Sequence, residues 1–106
     1  MGALMPTPNM PSSIVQRSLR RLGEDIRVAR KRRNLTMQVV AERALASRKT
    51  VARIENGDPG VNIGTYASVL HALGLLDRLT SLADPAQDAL GTDLDIDALP
   101  QRVRPK

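Results

Sequence analysis

This sequence predicts an all-α domain of five short helices over residues 14–83, with a disordered arm at 1–13 and an acidic, then basic, tail at 84–106. Three observations carry the prediction. Between Ile14 and Ala83 apolar residues recur at the three- and four-residue spacing of one helical face. The stretches open on Ser, Thr or Asn and close near Gly or Asn, residue types that satisfy the orphan backbone groups at helix ends. No strong strand alternation interrupts them.

The arm contains three prolines and no periodic pattern, so disorder is expected there. Ser12 or Ser13 then caps a first helix from about Ile14 to Arg33, with Val15, Leu19, Leu22, Ile26 and Ala29 as its apolar stripe. Gly23 is placed to divide it into two pieces. Asn34 stops it, and Leu35 anchors the entry to the next element.

From Leu35 to Gly57 the chain writes a helix, a tight turn and a second helix in consecutive residues. Thr36 caps a helix starting near Met37 in which Val40, Ala41 and Ala44 face inward and Gln38, Glu42 and Arg43 outward. Ser47 repeats the start signal three residues after Ala44, a connection so short that the two helices must cross steeply. In the second helix Val51 and Ile54 face inward. Arg48, Lys49 and Arg53 lie away from them, and Gly57 after Asn56 tolerates the left-handed conformation at the helix end.

Asp58-Pro59-Gly60 forbids continuing that helix. Asn62 caps a fourth helix with Ile63, Tyr66, Val69, Leu70 and Leu73 inward, whose first N–H groups are suited to a phosphate. Gly74 ends it. Leu75, Leu76, Leu79 and Leu82 make a fifth helix too apolar for one short neighbour to cover, which either completes the core or makes a dimer. Beyond it, Leu94 and Ile96 alternate with Asp93, Asp95 and Asp97, a pattern suiting a short strand at 94–97. Residues 101–106 are basic and broken by proline at both ends, and are expected to be disordered.

Composition excludes several classes. The chain has no cysteine, which rules out a disulfide framework or Cys-based metal site and suits a reducing cytosol. No apolar stretch reaches the length of a membrane span, and the N-terminus lacks the basic region and apolar core of a secretory signal, so a soluble cytoplasmic protein is expected. Catalysis has little to work with: His71 is the one histidine, alone on a helix among leucines, and neither an enzyme nor a cofactor is expected. Asp93-x-Asp95-x-Asp97 lacks the Gly and Glu of a calcium loop, and no metal is expected.

The net charge of +5 is polarised. Residues 14–56 hold twelve Lys or Arg against four Asp or Glu, a balance of +8, whereas 57–106 hold four against seven, a balance of −3. A field of this kind attracts phosphate, although Arg-rich helices are also simply well solvated. Tyr66 is the only aromatic, so the stacking platforms for single strands and RNA loops are missing and duplex DNA is the better target.

The positions of Ala41 and Val51 and the run Ala52-Arg53-Ile54-Glu55-Asn56-Gly57 resemble the XRE or Cro/phage-repressor helix-turn-helix family over roughly residues 22–82. More narrowly, LGEDIRVARKRRNLT followed by SRKTVARIENGDPGVNIGTYASVLHALGLLDRL is similar to HipB-type antitoxins encoded beside HipA-like kinases. The resemblance implies a lambda-repressor-like fold and a repressor that binds double-stranded DNA as a homodimer, with a HipA-like kinase as a further partner. It implies DNA contacts from Thr36, Gln38, Arg43, Ser47, Arg48, Lys49, Thr50, Arg53 and Asn62, with bases read by Arg48 and Lys49 and phosphates met by Arg43 and Arg53. It implies an ion pair of Arg30 with Glu55, and a dimer interface at Leu75, Leu76 and Leu79.

Two residues depart from the family pattern. Leu45 stands where the turn usually has Gly, at a cost on the order of 1 kcal/mol if φ is positive. Met37 stands where a Gln usually donates to phosphate, which either leaves that contact to Gln38 or removes it. Two other readings stay open: a phage-type repressor without a kinase partner, and a protein-interaction module with little DNA binding.

Overall fold

The computed structural model describes residues 10–98, and every regular element among them is helical. The order is α1 Ser13–Arg32, α2 Met37–Ala44, α3 Arg48–Glu55, α4 Ile63–Ala72, α5 Leu76–Thr80, a 3-10 turn Pro85–Gln87, and α6 Ala89–Ala98. Residues 1–9 of the arm and the basic stretch 101–106, both expected to be disordered, lie outside the described residues.

Helix starts follow the oxygen-bearing residues. Ser12, Thr36, Ser47 and Asn62 each adopt extended backbone and accept the N–H three residues on, from Val15, Val39, Thr50 and Thr65. Helix ends use positive φ: Asn34 (54°), Leu45 (56°), Gly57 (74°) and Gly74 (78°). After α2 and α3 the chain closes as a Schellman turn, Ala46 N–H donating to the Ala41 carbonyl at 2.9 Å and Asp58 N–H to that of Arg53 at 3.0 Å. Leu45 therefore holds the left-handed position usually given to Gly, and its side chain is 95% exposed.

The chain forms two compact units, Met1–Leu76 and Asp77–Lys106. In the first, α2 packs on α3 and α4, and α1 on α3. Their shared core is Ile26 from α1, Val40, Ala41 and Ala44 from α2, Val51 and Ile54 from α3, and Tyr66, Val69, Leu70 and Leu73 at α4, with Val61 from the loop ahead of it. Each buried Val, Leu or Ile contributes roughly 1.5–3 kcal/mol. Tyr66 meets its polar requirement by donating its OH to the Asp58 carbonyl at 2.8 Å.

Three expectations need correcting. Gly23 does not divide α1, which runs unbroken; a Cβ there would lie 2.6 Å from the carbonyl oxygens of Ile54 and Glu55, so the glycine serves the close crossing of α1 on α3. Gly57 sits in the same crossing, where a Cβ would come within 2.6 Å of the Arg20 backbone. Ile63, read as inward, is 71% exposed at the first position of α4. Residues 94–97 lie inside α6 rather than in a strand: Asp88 accepts the Gly91 N–H at 2.9 Å and starts a helix, and among the described residues no strand offers an edge to pair with.

The second unit begins ahead of the boundary expected after Ala83. Its described part holds most of α5, the 3-10 turn capped by Asp84, and α6. Leu75, Leu76 and Leu79 are half-buried, whereas Leu82, Leu90, Leu94 and Ile96 are exposed.

Candidate nucleic-acid interface

Helix α3 is short, and its inner side is consumed by Val51 and Ile54, both fully buried. That leaves Arg48, Lys49 and Arg53 exposed. Its start is fixed twice over by Ser47, whose Oγ accepts the Thr50 N–H at 3.0 Å and lies 2.9 Å from Thr50 Oγ1. Arg48 and Lys49 therefore project from the first turn of a rigidly capped helix. Neither enters a salt bridge among the described residues.

The other end of α3 is tied to α1 and to the turn before α2. Arg30 donates Nε to Glu55 Oε2 at 2.7 Å, Nη2 to Glu55 Oε1 at 3.1 Å, and Nη1 to the Leu35 carbonyl at 2.9 Å. The side chains are 8% and 3% exposed, so this is the buried ion pair that the resemblance implied. Its hydrogen bonds with Glu55 raise the Arg30 pKa further against the opposing effect of burial, so the guanidinium stays charged. The pair touches no outward surface of α3 and acts as a brace.

Arg53 is not the free cation that the sequence suggested. Its Nε donates to Asp58 Oδ2 at 2.7 Å, while Asp58 Oδ1 accepts the Gly60 N–H at 2.7 Å. The Arg53 hydrogen bond, then that of Gly60, holds the Asp58 carboxyl below its ordinary range. A depressed acid stabilises the fold above its unfolded pKa and loses that contribution as pH falls through its folded pKa, so the contact is intact at neutral pH. Sequence reasoning missed Asp58 because it lies beyond the helix end, off every helical spacing.

The remaining candidates divide. Thr36 caps α2 and keeps its O–H to donate outward, and Gln38, two residues on, donates Nε2 to Glu42 Oε2 at 3.1 Å, a bond that a phosphate would have to replace. Asn62 Oδ1 takes both the Thr65 N–H and the Thr65 hydroxyl, at 2.8 and 2.9 Å. Arg43 is not brought to α2's first turn: it stands in the last turn and lines a cavity of about 290 Å³ with Ala44, Leu45, Ala67, Ser68, His71 and Leu76, at the other end of α4 from Asn62. Among the described residues no His/Cys/Asp/Glu group is arranged to hold a metal, and no helix is long and apolar enough to cross a membrane.

A family model described as a helix-turn-helix domain covers residues 21–83, more than half of the chain and all of α2, α3 and α4. No curated protein and no solved structure matches the chain.

Proposed function

The chain belongs to the helix-turn-helix domain family, and from that premise we propose that it is a sequence-specific repressor of transcription that reads duplex DNA with the first turn of α3. The observation that carries the reading is the pair Arg48 and Lys49, exposed and without a salt-bridge partner among the described residues, on a helix whose start is capped by Ser47 and whose end is braced by Arg30. Fixed cations at a helix start are suited to guanine O6 and N7 in the major groove, where a bidentate Arg discriminates by about 1–3 kcal/mol. Thr36, Thr50 and Asn62 are assigned to the backbone, positioning the helix without reading sequence. No catalytic role is assigned to any residue.

Lys49→Ala tests this directly. Affinities for a duplex selected from a random pool and for an unselected duplex should separate in the wild type. The variant is expected to lose about 1–3 kcal/mol on the selected duplex and much less on the other. An equal loss on both would assign Lys49 to the phosphates.

The finer reading is an antitoxin that represses its own operon as a homodimer together with a HipA-like kinase. Its support is the sequence resemblance, together with the exposed apolar side chains Leu82, Leu90, Leu94 and Ile96 on a unit rich in aspartate. Sedimentation at micromolar concentration, alone and with the kinase encoded beside it, is expected to give a dimer and then a larger complex. A monomer that ignores the kinase would leave the repressor and remove the antitoxin.

A further inference from the structure

Asp58 stands against the cationic face of α3 and is itself immobilised. Its N–H donates to the Arg53 carbonyl at 3.0 Å, its own carbonyl accepts the OH of the buried Tyr66 at 2.8 Å, and its second carboxylate oxygen accepts the Gly60 N–H. The carboxylate is thus part of a fixed turn, and Arg53 closes onto it through Nε. Nη2 of Arg53 lies over Gly60, where a Cβ would be 3.2 Å away. Both side chains reach solvent, at 44% and 32% exposure.

We propose that Asp58 is a specificity-determining residue of the DNA-reading face: it cancels the general attraction of Arg53 for phosphate and holds the guanidinium in one pose, so that Arg53 meets only a duplex presented in the matching register. The proposal rests on the DNA-binding reading above. An unpaired Arg neutralises phosphate on any sequence and adds about one unit to the slope of log affinity against log salt. Paired with a carboxylate, it carries no net charge toward a passing duplex, and Asp58 repels a phosphate that arrives out of register, a repulsive element of the kind that separates partners. Because the guanidinium is already fixed, less freedom is lost when the right contact forms. A merely structural surface pair would be worth little, and its removal would leave the discrimination between DNA sequences unchanged.

Asp58→Asn removes the charge and keeps an oxygen for the Gly60 N–H, and Asp58→Ser repeats the test with a hydroxyl in its place. Random-duplex and selected-duplex affinities are measured from 50 to 200 mM salt for the wild type, both variants, Arg53→Ala and the Arg53→Ala/Asp58→Asn double variant. Both Asp58 variants are expected to bind random duplex more tightly and to steepen its salt slope by about one unit, an additional loss of roughly threefold over that range. The ratio of selected to random affinity should fall, and the double variant, which removes both charges of the pair, should return to the wild-type slope. An unchanged slope, an equal change on both duplexes or a raised ratio would overturn the proposal. A wild-type protein that binds neither duplex would overturn the DNA-binding reading instead, and the same titration shows it before any variant is compared.

Discussion

Glu55→Ala is expected to cost about 3–5 kcal/mol, the penalty for leaving one half of a buried ion pair behind. Arg30 would keep only its bond to the Leu35 carbonyl, with a guanidinium that cannot shed its proton enclosed between α1 and α3. Against the 5–15 kcal/mol that typically separates a folded domain from its unfolded chain, such a loss is a large fraction of the whole. Urea denaturation should show a lower midpoint with an unchanged slope. Arg30→Met/Glu55→Leu should recover most of the loss, because an apolar pair of similar size removes both charges and leaves only the Leu35 carbonyl to find water. A single-variant loss under about 1 kcal/mol, the worth of an exposed pair, would mean that water reaches this contact.

Gly23→Ala should destabilise the domain by about 1–3 kcal/mol, the usual cost of overpacking. Helix propensity alone predicts the opposite sign, a gain of about 1 kcal/mol for Ala over Gly inside a helix. Packing wins here because the new methyl would meet two backbone carbonyl oxygens at 2.6 Å. Those carbonyls belong to the last turn of α3 and cannot rotate away as a side chain would, so α1 must lift from α3. Gly64→Ala is the control: it lies in the first turn of α4, and its Cβ would meet only the Asn62 carboxamide oxygen, at an ordinary 3.4 Å. Thermal unfolding should therefore move down for the first variant and slightly up for the second. Movement of both in the upward direction would contradict the close crossing.

What could be read in the sequence was local. Ser12, Thr36, Ser47 and Asn62 announce helix starts because the cap and the N–H it accepts lie three residues apart, and the inward faces of α2 and α3 follow from spacing. Leu45 was identifiable as a strained position only from the family's preference for Gly there, and its φ of 56° agrees. Contacts between distant segments were not legible. Periodicity sees Gly23 as a weak point in a helix, whereas its purpose depends on α3, more than twenty residues away. Arg30 with Glu55 came from a resemblance and not from any spacing. Asp58 escaped because it returns to Arg53 around a helix end, and the alternation at 94–97 misled because period two describes a strand only where a neighbouring edge exists.

The central claim is that the cationic face of α3 binds duplex DNA, and its most direct test is the affinity of the intact protein for a selected duplex, an unselected duplex and a single strand across a salt series. The account predicts a linear fall of log affinity with log salt, tightest binding to the selected duplex by roughly a thousandfold or more over the unselected one, and weakest binding to the single strand. Affinity that ignores salt, or that is equal for all three, would contradict it.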